Sequence, residues 1–257
     1  MKLNDEIDFQ VVDGAIAIIT MDRPAQRNAI NEGVMDGLRQ AWHMLETDDA
    51  LRVGILTGSG DKAFCAGMDL KTAAAMKLKV PPRDMLPVLG DVVHISKPTI
   101  AAVNGIALAG GWLFAQMCDL CIASEHAAFG ITEAKVGRGM PWAAPLIHML
   151  PQRIMMEVLL TAKPLSAQRA MALGYVNEVV AHDQLLERAL DMARGIAANA
   201  PLTVKAAREL VYLSTEMGRS AGLRAAQRLF ESVYLSEDAQ EGPLSFVEKR
   251  APRWKGR

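Results

Sequence analysis

Three short segments concentrate the residues that could do chemistry: Ala63 to Asp69, Asn104 to Asp119, and Phe129 to Gly137. In the second, Ala109-Gly110-Gly111 opens an apolar run. A glycine-rich turn at the start of a helix gathers free backbone N–H groups and the positive end of the helix dipole at one point, which suits an oxyanion or a phosphate. The same two glycines also suit close packing of a helix on a strand, and the local residues leave both readings open. The third segment carries Glu133 among apolar neighbours, either a proton-transfer group or an ordinary surface carboxylate. Other chemistries are excluded. No Gly-x-x-x-x-Gly-Lys-Ser/Thr run is present, and Gly137-Arg138-Gly139 lacks the third glycine of a dinucleotide-binding turn. No Gly-x-Ser-x-Gly elbow presents a serine, and His43, His94, His126, His148 and His182 belong to no paired motif. Cys65 has no histidine placed in sequence to activate it and reads as packing.

The whole chain sets the boundaries. Its 257 residues, 51% hydrophobic, suffice for one large core or two unequal ones. Twenty-eight Lys plus Arg against 29 Asp plus Glu leave a net charge of -1, so there is no broad cationic surface for nucleic acid or anionic lipid. The acidic start, MKLNDEIDFQ, does not resemble a signal or transit peptide, and no stretch approaches the roughly 20 apolar residues of a membrane span. A cytoplasmic location is the expectation. The three cysteines, Cys65, Cys118 and Cys121, are too few and too odd for a disulfide framework. Cys118-x-x-Cys121 has neither a second pair nor a histidine cluster beside it, so it reads as two buried thiols at a helix-to-strand junction, and no metal is assigned.

Hydropathy patterning supplies the elements that must position these segments. Residues 7 to 21 read as two strands around Asp13-Gly14. Asn31 can cap a helix to about Thr47, with Val34, Leu38, Ala41, Trp42 and Leu45 on one face. Val53 to Thr57 and Thr99 to Val103 are short apolar strands, Asn104-Gly105 a turn, and a helix runs from Ala109 to near Cys118. Leu120 to Ala123 and Ala127 to Gly130 are further strands. Gly58 to Asp69 reads as a loop, while residues 70 to 90, with Pro81-Pro82, read as a lid, a linker or a broken helix. Beyond Pro141 the chain is almost wholly helical apart from a strand over Gly174 to Val180. From Pro201, Ala206, Leu210, Leu213 and Met217 recur at helical spacing. Strands alternating with helices indicate an α/β core with crossover connections, and no internal repeat is visible.

Taken together, these segments resemble the crotonase (enoyl-CoA hydratase/isomerase) superfamily. The match lies in Lys62 to Leu70 (KAFCAGMDL), Lys97 to Gly105 (KPTIAAVNG), Gly110-Gly111 with Met117-Cys118-Asp119, Ala128-Phe129-Gly130, and Phe246 to Arg250 (FVEKR), in the family's order and spacing over nearly the whole chain. The resemblance implies an α/β spiral of ββα units over residues 1–200 that binds an acyl-CoA. A C-terminal helical trimerisation region over residues 201–257 follows, in a homotrimer or hexamer. It implies that the thioester carbonyl is held by the backbone N–H groups of Met68 and Gly110. Arg27, Lys62 and Ala66 would lie along the coenzyme path, and Lys249 would reach it from the C-terminal region of this or a neighbouring subunit. Asp69 and Leu113 complete the implied substrate-binding set. No cofactor is expected, since coenzyme A belongs to the substrate.

One departure bears on the reaction. Hydratases of the family carry a glutamate shortly after the Gly-Gly pair and a second after the Phe-Gly motif; here the second is matched by Glu133 and the first falls on Leu113. An aliphatic side chain cannot polarise water or exchange a proton, so the two-carboxylate arrangement is incomplete. A single base can still move a proton from one carbon to another, as the family's Δ3,Δ2-enoyl-CoA isomerases do. Those isomerases also resemble this chain where Gly137 is followed by Pro141-Trp142 in place of the hydratases' Pro-Gly-x-Gly-Gly loop. The expectation is enolate chemistry favouring double-bond isomerisation. The alternatives are a hydratase using Glu133 alone or with an unidentified second group, and a non-catalytic acyl-CoA-binding protein.

Overall fold

A computed structural model describes residues 1–77 and 79–257. The first elements follow the sequence closely. Strands β1 (Ile7–Val12) and β2 (Ile16–Met21) form an antiparallel hairpin in which Asp13 and Gly14 both take positive φ. Helix α1 (Glu32–Thr47) starts at Asn31, whose side chain accepts from the Val34 N–H at 2.9 Å, and the five expected apolar residues are fully buried.

A structural repeat follows that the sequence does not display. Strand β3 (Val53–Gly58) leads into the short β4 (Ala63–Cys65). After helix α2 (Leu70–Met76), β5 (Thr99–Val103) leads into β6 (Ile106–Leu108). After helix α3 (Gly110–Gln116), β7 (Leu120–Ser124) leads into β8 (Ala128–Gly130). The longer strand of each pair joins a six-stranded sheet and the shorter one a four-stranded sheet. The first pair is separated from the second by α2 and irregular chain, and the second from the third by one short helix, so no fixed period reaches the sequence. Two expectations are corrected here. Ala63 to Cys65 is a strand within the expected loop, and Ile106 to Leu108 is a strand between the expected turn and helix.

The chain continues through a 3-10 segment (Pro141–His148), α4 (Gln152–Thr161), β9 (Leu165–Ser166), α5 (Ala167–Ala172), β10 (Glu178–Val180) and α6 (Leu185–Ala197). The strand expected over Gly174 to Val180 therefore shrinks to its last three residues. The large sheet runs β1-β2-β3-β5-β7-β10 and is parallel except at the β1-β2 hairpin. Both its faces are covered: Leu185, Ala189, Leu190 and Ala193 of α6 lie on Ile18, Val53, Ile55, Ile100, Ala102 and Ile122, while α1 and α3 close the other side. Burial on both faces is why β3 and β5 read as unbroken apolar runs rather than alternating ones.

Helices α7 (Pro201–Glu216), α8 (Arg219–Tyr234) and α9 (Glu237–Val247) follow. Asp119, at the start of β7, joins this region to the sheet. Its carboxylate accepts from Arg208 Nε at 2.9 Å, Tyr212 Oη at 2.7 Å and the backbone N–H and hydroxyl of Thr99, and Arg208 Nη1 donates to the Ile95 carbonyl. Ala206 is the one residue of the expected α7 face that is fully covered; Met217, Leu223, Tyr234, Leu235, Phe246 and Val247 stand exposed. Among the described residues, no helix is long and apolar enough to cross a membrane.

Candidate active site

The small sheet brings the two glycine-containing turns together. β4 and β6 pair in parallel, so the chain leaving β4 at Ala66-Gly67-Met68 meets the chain leaving β6 at Ala109-Gly110. Gly67, at φ +92°, lies so near that a Cβ on it would stand 2.9 Å from the Leu108 carbonyl oxygen and 3.6 Å from the Gly110 nitrogen. Among the described residues, no hydrogen bond occupies the Met68 or the Gly110 amide. Ala109 carries φ 52° and ψ -122°, a backbone region that a residue with a Cβ enters at a cost of about 1–3 kcal/mol, and this is the bend that turns the Gly110 amide out of the strand. Two amides on adjacent turns are thus left without an internal acceptor, and such donors can receive an oxyanion.

Two side chains that sequence reasoning missed brace the loop that leads into β4. Asn28, fully buried, donates to the carbonyls of Ser59 and Ala63 at 2.9 and 2.8 Å. Asn104, also buried, donates to Gly60 and Ala63 and accepts from the Gly58 N–H. Between them they tie down the loop that leads into β4. Their signal was present only as ordinary turn residues, which gives no partner.

Glu133 begins a 3-10 turn (Glu133–Val136) directly after β8 and is buried. Its Oε1 accepts from the indole Nε1 of Trp142 at 3.1 Å, while Oε2 is buried without a partner. Burial pushes its pKa above the ordinary glutamate value, against the pull of nearby backbone N–H groups and of the indole hydrogen bond. Leu113 is buried on α3, 2% exposed. The Cys65 thiol, fully enclosed, is pushed up to about 12 by burial, and burial raises Cys118 and Cys121 as well. None of them is a thiolate at neutral pH.

The remaining sequence-singled residues fall into separate groups. Arg27 is exposed, and its carbonyl accepts from the Ala66 N–H at 3.0 Å, so these two positions adjoin. Lys62 is exposed at the entry to β4, where its carbonyl accepts from the Ile106 N–H. The Asp69 carboxylate is committed internally: it caps α2 through the Lys71 and Thr72 amides and pairs with Arg23 at 3.3 Å. Burial alone would raise its pKa; those bonds outweigh it and hold the group below the ordinary aspartate value. Lys249 lies exposed past α9, and none of the hydrogen bonds and ion pairs among the described residues ties it to Arg27, Lys62 or Ala66.

This fold has close counterparts. The sequence profile described as enoyl-CoA hydratase/isomerase matches residues 12–257. A carnitinyl-CoA dehydratase of Salmonella typhi is 38% identical over 256 residues, covering 95% of this chain and 97% of that protein. The carnitinyl-CoA dehydratase of Proteus mirabilis is 36% identical over 255 residues, covering 95% of this chain and 96% of the relative. Crystal structures of enoyl-CoA hydratases from Mycobacterium marinum and Mycobacterium tuberculosis superpose with a TM-score of 0.91 each. They share 38% and 37% identity and cover 99% of this chain and all of theirs. The chain belongs to the enoyl-CoA hydratase/isomerase family and has the crotonase fold. The relatives' names are those of enzymes, and so is the class defined here.

Proposed function

We propose that the protein binds an acyl-CoA thioester with its carbonyl oxygen on the Met68 and Gly110 amides and uses Glu133 as the single acid/base to move a double bond through an enolate. The observation that carries this reading is the environment of Glu133. Its carboxylate is buried with one free oxygen, and the side chain at the position of a hydratase's other glutamate is Leu113, 2% exposed. In a 3-enoyl-CoA, Glu133 takes a proton from the carbon next to the thioester. The electron pair moves into the carbonyl, whose oxygen gains negative charge against two N–H donors, each worth about 10²- to 10³-fold in rate. Return of the same proton at the far end of the delocalised system completes the shift and regenerates the carboxylate. A raised pKa makes Glu133 a stronger base once ionised.

Arg27, Lys62 and Ala66 are proposed to run along the coenzyme, the two cations toward its phosphates. Their exposure around the entry to β4 agrees with that use, and Lys249 is proposed to join them through assembly. The exposed apolar residues of α8 and α9 support a homotrimer or hexamer. Buried free thiols suit a reducing cytoplasm. A second reading is addition or removal of water, favoured by the relatives named carnitinyl-CoA dehydratase; it would rest on Glu133 alone or on a further group.

The test offers the protein a 3-enoyl-CoA and a 2-enoyl-CoA of matched chain length. Isomerisation of the first faster than hydration of the second supports the reading. Efficient hydration without isomerisation returns the assignment to the second reading, and acyl-CoA binding with neither reaction would make the protein a binder.

A further inference from the structure

A short run of polar contacts reaches Glu133 from α3. Gln116 lies three residues beyond Leu113 and is 6% exposed, on a helix whose neighbouring residues Trp112, Leu113, Phe114 and Ala115 are apolar and buried. Its Nε2 donates to the Trp142 carbonyl at 2.6 Å, and its Oε1 is buried without a partner. Trp142 in turn donates its indole N–H to Glu133 Oε1 at 3.1 Å. α3 therefore grips the backbone of Trp142, and the ring of Trp142 grips the carboxylate.

Packing alone does not call for these groups. A leucine or methionine would fill the Gln116 position without burying an amide oxygen that lacks a donor. A phenylalanine would supply most of the Trp142 ring, which is only partly buried. What the pair adds is one N–H aimed at one carboxylate oxygen. A carboxylate held at Oε1 has its plane fixed and a single basic oxygen left, Oε2, the atom without a partner. We propose that Trp142, clamped by Gln116, is the positioning residue that fixes Glu133 as a one-oxygen base. This deepens the proposed function and rests on its reading of Glu133 as the base. The indole also favours the ionised carboxylate, offsetting part of the rise that burial causes.

The test is Trp142→Phe, which keeps a ring and removes the donor. The Glu133 carboxyl is titrated by carbon-13 NMR in the substrate-free protein, its resonance assigned by its loss in Glu133→Gln. The expected result is a titration midpoint at higher pH, kcat lower by about tenfold for one lost hydrogen bond to a charged group, and KM within a few-fold. The acid limb of kcat/KM should follow the NMR midpoint, a link that a merely structural role would not produce. Gln116→Met, which keeps the volume and removes the clamp, should move both readouts in the same direction by less, and it decides the matter if Trp142→Phe does not fold. An unmoved midpoint, or an unchanged kcat, overturns the proposal. Full activity in Glu133→Gln overturns the base reading instead, and leaves the midpoint measurement standing on its own.

Discussion

Gly111 presses its Cα against the carbonyl of Cys65 so closely that a Cβ would stand 2.0 Å from the oxygen and 2.8 Å from its carbon. This contact sets the first turn of α3 on β4 and so places the Gly110 amide beside the Gly67-Met68 turn. The obstacle is backbone, which cannot swing aside as a side chain can. Gly111→Ala should cost about 3 kcal/mol of stability through overpacking, with acyl-CoA turnover reduced in whatever folds. Chemical denaturation measures it, and a wild-type midpoint with wild-type turnover would contradict the placement.

If the Met68 contribution resides in the main chain, its side chain is replaceable and its N–H is not. Met68→Pro deletes a donor that no internal hydrogen bond uses, whereas Met68→Leu keeps it. The proline variant should lose about 10²-fold or more in kcat and the leucine variant little. Equal activities in variants whose circular dichroism matches the parent would remove this amide from the mechanism.

The raised pKa of Glu133 has a consequence for stability. Its folded pKa lies above the unfolded value, so the native state holds the proton more tightly. Below the ordinary value of 4.5 both states are protonated and the site costs nothing. As pH rises through the folded pKa, the native state must bury an ionised carboxylate, and the penalty is fully present only above that pKa. Glu133→Gln should therefore lower kcat by about 10²-fold or more while raising the thermal midpoint above the folded pKa. The gain should vanish in acid. A stability gain independent of pH would mean that burial of the charge is not its source.

The amphipathic helix, the hairpin and the central strands were legible in the sequence because each carries its own pattern: a capped apolar face for α1, a D-G turn for β1-β2, unbroken apolar runs for β3 and β5. Of the small sheet, only β8 was. β4, β6 and β9 are three residues long or less and are defined by partners far away in the chain, so no local period marks them. The same limit hid part of the site. Motif register singled out Glu133, Gly110 and Leu113, but the Glu133–Trp142 bond depends on the path of the irregular chain from Gly137 to Pro141. Asn28 and Asn104 acquire their roles only where two loops meet.

Ala109 offers an opposite sign of effect. Its φ of 52° with ψ of -122° is a region where glycine is unstrained. Ala109→Gly relieves about 1–3 kcal/mol of strain and adds somewhat under 1 kcal/mol of unfolded-state entropy, so the expected net is stabilisation by about 1 kcal/mol. Activity should be kept, because the Gly110 amide does not need the methyl group. Destabilisation measured by denaturant titration would show that the alanine methyl packs usefully against Gly67 and that strain is not the larger effect.

Leu113 is the position at which the proposed reaction should be adjustable. On the proposed reading, leucine there supplies no second proton carrier, which suits a base that shuttles one proton between two carbons. Leu113→Glu would place a carboxylate on α3, where it could hold and activate a water molecule. The ratio of 2-enoyl-CoA hydration to 3-enoyl-CoA isomerisation should then rise by about tenfold or more, even though burying a charge there will lower overall stability. Steady-state assays of both reactions on the same preparation give the ratio directly and are insensitive to a partly unfolded fraction. Leu113→Met, similar in volume and uncharged, serves as the control and should leave the ratio unmoved. If the glutamate variant folds, binds acyl-CoA and keeps the parental ratio, Leu113 does not set the choice between water and proton transfer, and the case for isomerisation loses its main support.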